Sequence, residues 1–274
     1  MVPVADSRLS GTGSGEILAA EGDVRQVEAE IREVDVLAIG AHPDDVEFGA
    51  GGFLALCYRR GDRVGVVDLT RGEMGSKGDA DLRRQEALAA AQQYGAAFRL
   101  GLDWGDTRLA DDPALARALA RIIRVAKPSL VLAPPLDDRH PDHRAAGWLA
   151  ERAVFYACLR HLDLGVPAHF PDKLLHYFIN EWGQPAFVVD VTATWEAKRQ
   201  ALLAFASQTT TTLPIDHAYF GVFDYLRDLE ARAAYFGSRI GRPYGEGFTL
   251  TGSVPLSDPV RAFHKNGGEV EVQA

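Results

Sequence analysis

From Val34 onward, short apolar runs alternate with helix-like stretches, and this alternation limits the fold more than any other feature of the chain. Val34–Gly40, Arg63–Thr70, Ala97–Leu102 and Ser129–Ala133 read as strands. Between and after them, Glu47–Arg60 (closed by Gly61), Asp79–Gly95, Pro113–Ala126 and His143–His161 read as helices. Strands without polar alternation are buried on both faces, and strand-helix repeats imply parallel pairing through right-handed crossovers. The expected fold is α/β: a single Rossmann-like domain with a mostly parallel sheet flanked by helices. Two later strands, Leu174–Ile179 and Ala186–Val191, and helices at Thr192–Ser207 and Phe223–Ser238 are expected as additions to that sheet. Residues 1–33 read as an N-terminal extension, flexible or partly helical, residues 34–250 as the main domain, and residues 251–274 as a C-terminal tail.

The 274 residues are 47% hydrophobic and 24% charged, the balance of a water-soluble globular chain with a sizeable core. A net charge of -9 repels phosphate backbones and anionic lipid, so neither nucleic acid nor membrane is an expected partner. No apolar run reaches bilayer length, and the N-terminus lacks a signal-peptide pattern, which makes the cytoplasm the expected location. Cys57 and Cys158 lie far apart in apolar contexts without a CxxC partner, and read as core thiols.

Two polar clusters follow strands, and in an open α/β sheet the carboxyl ends of strands carry the ligand. The first is Ala41-His-Pro-Asp-Asp-Val-Glu47 after strand one. An aspartate at a helix start ordinarily caps it, but a histidine and two aspartates exceed what a cap needs. The second is Asp137-Asp-Arg-His-Pro-Asp-His143. A catalytic zinc takes three protein ligands and keeps a position open for water, and His42, Asp45 and His143 supply that number. Asp44 and His140 are then left over as acid or base. Iron(II) suits the same imidazole and carboxylate donors. The glycines of Gly49-Ala-Gly-Gly52 fall inside the expected helix, not in the strand-to-helix turn, so they are read as close-packing positions and not as a dinucleotide fingerprint.

AHPDDVEFGAGG, DLTRGEMGSKG, DLRRQEA and RHPDH together resemble the PIG-L/LmbE-like zinc-dependent deacetylases of N-acetylglucosamine conjugates, over about Val34 to Phe248. The segments KRQALLAFASQ, YFGSRIG and YGEGF are most similar to the bacillithiol-pathway deacetylases of N-acetylglucosaminyl malate. The resemblance implies zinc on His42, Asp45 and His143, with Asp44 as general base. It makes His140, in its imidazolium form, the group that stabilises the oxyanion or protonates the leaving amine, and Asp142 the carboxylate that orients a neighbouring imidazole. Arg83 falls where the family places an arginine for substrate carboxylates, with Arg71 and Arg139 as lesser candidates; residue types alone would make Arg83 a solvated helix residue. The implied partner is a small-molecule sugar conjugate, and the family's habit implies a homo-oligomer. The nearest rival substrate is a mycothiol-type conjugate, and the remote rival is a non-catalytic metal-binding protein. The Thr209–Ala218 loop, with His217, matches no family motif.

Overall fold

In the computed structural model, which describes residues 24–75, 78–209, 225–255 and 257, the apolar runs become β1 (Val36–Gly40), β2 (Val64–Asp68), β3 (Phe98–Gly101) and β4 (Leu130–Ala133). All but two of their residues are buried, as a sheet covered on both faces requires. The helices between and after them are α1 (Asp45–Arg60), α2 (Ala80–Gln93), α3 (Pro113–Ala126) and α4 (Pro141–Cys158). Then follow β5 (Lys173–Tyr177), β6 (Phe187–Asp190), α5 (Trp195–Leu203), the short α6 (Ala206–Thr209), α7 (Tyr225–Ser238) and β7 (Gly245–Leu250).

The seven strands form one sheet in the order β3-β2-β1-β4-β5-β7-β6. β1 pairs in parallel with β2 on one side and β4 on the other, and β3 and β5 extend the parallel set. Because the chain leaves β1 in one direction and returns to its other side with β4, the switch point lies between those two strands. Leu37 and Ile39 of β1 face a core shared with α3 and α4, whereas Val36 and Ala38 face a core shared with α1, α2 and α5.

Several expectations need revising. α1 begins two residues early, at Asp45, and α4 at Pro141. The expected strands at 174–179 and 186–191 do not pair with each other: β7, from the YGEGF segment, lies between them and is antiparallel to both. Its Gly-Glu-Gly start hid it, since the one charged side chain, Glu246, is buried rather than solvated. The expected helix at 192–207 is a 3-10 turn followed by α5 and α6. Part of the N-terminal extension packs on the domain: Val24 is fully buried and Glu28 pairs with Arg121 of α3 at 2.7 Å. Most of that extension, His217 with nearly all of its loop, and three quarters of the tail lie outside the described residues. Both cysteines are free thiols. Among the described residues, no helix is long and apolar enough to cross a membrane.

Candidate metal centre

Between β1 and α1 the chain turns through Ala41-His-Pro-Asp44, beside the switch point. Asp44 stands at the N-cap position of α1 yet makes no capping bond; its φ is 110° and its ψ -25°. That region is strained for a residue with a side chain, and such strain gathers at functional sites. Asp45 instead ties the turn together, accepting the His42 amide at 2.9 Å. Capping therefore does not explain this acidic pair.

Across the switch point, His140 caps α4, its Nδ1 accepting the Asp142 amide at 3.2 Å. His143, in the first turn of α4, brings Nε2 to 3.2 Å from Asp45 Oδ1. The other Asp45 oxygen lies 3.5 Å from His42 Nδ1. One carboxylate thus bridges two imidazoles, and all three side chains are buried. His140 stacks on His143 with ring centroids 4.5 Å apart. Ligand-capable atoms of His42, His140 and His143 fall within 4.8 Å of one another, as do those of His42, Asp106 and Asp142.

Each bridging imidazole is held from behind by carboxylates. His143 Nδ1 lies 3.1 Å from Asp138 Oδ1, and Asp138 also accepts the amides of His140 at 2.8 Å and Asn180 at 2.9 Å. His42 Nε2 lies 3.3 Å from Asp106 and 3.4 Å from Asp142. Asp142 meets the imidazole of His42, a hundred residues away. Asp106, Asp138 and Asn180 were not singled out from sequence. Asp106 had a legible signal, because Asp103-Trp-Gly-Asp106 is another acidic turn just after a strand end; Asn180 had none.

Burial alone would lower the His143 imidazole, but Asp45 and Asp138 outweigh it and raise its pKa to about 9. His42 is likewise raised well above its ordinary value, with burial opposed by Asp106, Asp142 and Asp45. Buried carboxylates outnumber cations here, and in the bare protein protons on these imidazoles supply the missing positive charge. A borderline dication fits the same place: two imidazoles and a carboxylate, each imidazole backed by a further carboxylate, is the donor chemistry of zinc or iron(II). His140 behaves differently. Burial and the neighbouring histidines lower its pKa, and its Nδ1 lone pair is committed to an amide. With Nδ1 so committed, Nε2 is the ring nitrogen left to face a ligand.

Asp44 is buried with its carboxylate 3.4 Å from Arg83 Nη2 and hydrogen-bonded to the Tyr225 hydroxyl. Burial pushes its pKa up to about 6 against the pull of Arg83. Arg83 is neither solvated nor turned outward to a substrate carboxylate. It is 5% exposed and donates to Gly72 O at 3.1 Å and Pro43 O at 2.5 Å. Its place is therefore a brace under the turn after β1, where it is the donor to the Pro43 carbonyl while the Ala41, His42 and Asp44 carbonyls accept backbone amides. Arg71 is exposed and paired with Asp81 at 3.2 Å, while Arg139 is exposed and donates to Asn180 at 3.2 Å. Beneath the turn, Arg99 joins Glu47 and Asp68, with Tyr94 on Glu47 at 2.6 Å.

The family model described as PIG-L, GlcNAc-PI de-N-acetylase, matches residues 37–154, a stretch that holds both turns. A diacetylchitobiose deacetylase of Thermococcus kodakarensis is 31% identical over 238 residues, covering 81% of this chain and 84% of that protein. The chain belongs to the PIG-L deacetylase family. Another relative is a 4-oxalmesaconate hydratase of Pseudomonas putida, 31% identical over 63% of this chain and 73% of that protein. A Bacillus subtilis protein named "Probable N-acetyl-alpha-D-glucosaminyl L-malate deacetylase 2" is 31% identical over 64% of this chain and 83% of its own length. Among solved structures, the conserved protein TT1542 of Thermus thermophilus superposes with a TM-score of 0.74 at 36% identity, covering 81% of this chain and 97% of that one. The relatives of this chain thus include a hydratase beside the deacetylases; the family match and the deacetylase relatives make this chain an N-deacetylase, and its substrate is left to the site.

Proposed function

We propose that this PIG-L protein is a metal-dependent N-deacetylase that hydrolyses the acetamide of an N-acetylglucosamine conjugate to acetate and a free amine. N-acetylglucosaminyl malate is the conjugate favoured by the sequence motifs and by the likeness to the Bacillus protein. The observation that carries the reaction is Asp44, a buried carboxylate at a strained φ of 110°, bonded to Arg83 and Tyr225 and left out of the imidazole bridge beside it.

An amide resists hydrolysis because resonance protects its carbonyl and an amine leaves poorly. Held by His42, Asp45 and His143, zinc or iron(II) would supply Lewis acidity toward the carbonyl and a lowered pKa for water. Asp44 takes the proton of the attacking water and, as the acid so formed, returns it to the departing nitrogen. A carboxyl raised to about 6 is suited to both steps near neutral pH. His140 donates Nε2–H to the oxygen on which charge develops. Asp138 and Asp106 keep the two ligand imidazoles aimed, and Arg83 holds the Pro43 carbonyl so that Asp44 stays in place.

A disaccharide of N-acetylglucosamine is the second reading, favoured by the inward turn of Arg83, which takes away the malate clamp expected from sequence. The test is free-amine release by metal-loaded protein from N-acetylglucosaminyl malate, the disaccharide and N-acetylglucosamine, with a chelated control. Chelator-sensitive release from the malyl conjugate above the others supports the first reading, and preference for the disaccharide supports the second. No release from any of the three, with metal bound, rejects the deacetylase assignment.

A further inference from the structure

The loop that leaves β5 runs along the edge of the sheet where the metal cluster sits, and its beginning is bound into that cluster. Asn180 donates from its amide and from Nδ2 to Asp138, at 2.9 and 2.8 Å, and Asp138 holds His143. Two residues further on, Trp182 is 45% exposed and stacks on Tyr235 of α7, itself 39% exposed, with ring centroids 5.8 Å apart at 28°. We propose that Trp182 and Tyr235 form a stacking subsite for a second sugar ring of the substrate. This deepens the second reading, the disaccharide, and rests on the deacetylase reading for the identity of the ring being deacetylated.

Single exposed aromatics need no explanation, but this is a stacked pair held in place. Arg239 Nη1 donates to the Tyr235 hydroxyl at 3.0 Å, and its guanidinium lies over the same ring. Below, Tyr235 meets Phe236 at 5.3 Å, and Phe236 packs on Phe178, the residue that follows β5, at 5.5 Å. A platform fixed in advance loses little conformational freedom when it binds. A pyranose matches it in chemistry: its C–H face lies on aromatic carbon, and its rim of hydroxyls needs donors and acceptors. Arg139, exposed and bonded to Asn180, is such a donor at the same rim. Two residues of chain span at most about 7 Å, so Trp182 lies that close to Asn180, whose Nδ2 is 3.3 Å from His143 Nδ1 in the metal cluster. A malyl group has no such face, and the subsite therefore selects conjugates with a second ring.

The test compares Trp182→Ala, Tyr235→Ala and Trp182→Phe on metal-loaded protein with the N-acetylglucosamine disaccharide and the monosaccharide. Trp182→Ala and Tyr235→Ala should each raise KM for the disaccharide about five- to tenfold with kcat little changed, leave KM for the monosaccharide alone, and Trp182→Phe should restore most of the difference. Independently of turnover, titrating the fully deacetylated disaccharide should change tryptophan fluorescence saturably, and Trp182→Phe should remove that change. Equal KM effects on both sugars, or a fluorescence change that survives Trp182→Phe, would overturn the subsite while leaving the deacetylase standing. A Trp182-dependent fluorescence change without any deacetylation would keep the subsite and reject the reaction.

Discussion

Asp44 and Asp45 are neighbours whose roles diverge because their surroundings do. Asp45 lies between two imidazoles that pull its pKa well down against burial, whereas Asp44 faces Arg83 and Tyr225 and is pushed up to about 6 by burial. Asp44→Asn should therefore keep the metal and lose roughly a hundredfold or more of turnover, while His143→Ala should lose both. Metal analysis beside amine release checks this, and equal metal loss in the two variants would undo the division of labour. The base must be ionised to work, so activity should rise as pH climbs through its pKa. The acid limb of kcat/KM is expected at or below about pH 6, since a bound dication lowers the value found without one. For Arg83, the brace reading expects Arg83→Met to cut kcat with a similar change in KM for malyl and plain substrates. A KM rise confined to the malyl conjugate would reinstate the clamp.

At the level of the helix, α1 is entered from the side. Glu246 of β7 accepts the Gly52 and Phe53 amides at 2.9 and 2.7 Å, and Phe48 O accepts Lys198 Nζ at 2.9 Å and an Arg232 guanidinium nitrogen. Such approach to a helix backbone needs missing side chains, which gives the glycines read as close-packing positions their physical reason. A Cβ on Gly52 would stand 2.8 Å from Val191 and 3.1 Å from Glu246, and one on Gly49 would stand 2.0 Å from the Tyr177 ring. That ring cannot swing aside cheaply, because its hydroxyl donates to Ile39 O at 2.6 Å beside the catalytic turn. Gly49→Ala should therefore cost about 1–3 kcal/mol by overpacking, seen as a Tm lower by roughly 2–4 °C per kcal/mol. An unchanged Tm would show that α1 has room to shift.

Across the whole molecule, Arg99 of β3 ties Asp68 of β2 to Glu47 of α1 under the turn that carries His42 and Asp44. Removing the cation leaves two carboxylates buried, so Arg99→Met should destabilise by about 3–5 kcal/mol. Burial already holds Asp68 above its ordinary pKa. A carboxyl raised in the folded state favours folding when protonated, so the variant's deficit should shrink as pH falls through that raised pKa and grow above it. Denaturant titrations at several pH values would show this, and a deficit independent of pH would mean that packing, not charge, holds the network. The alternation of apolar runs and helices was enough to place a parallel sheet, and the polar turns after β1 and β4 were enough to mark the edge where buried histidines and aspartates gather, because period and strand-end position are local properties of the chain. Partnership is not local. That His42 meets Asp106 and Asp142, that Asp138 backs His143, that β7 slips between β5 and β6, and that Arg83 turns inward each depends on which surfaces pack together once the sheet forms. Burial then turned ordinary carboxylates into distinct ones, for the same aspartate is a cap, a ligand or a base according to what surrounds it.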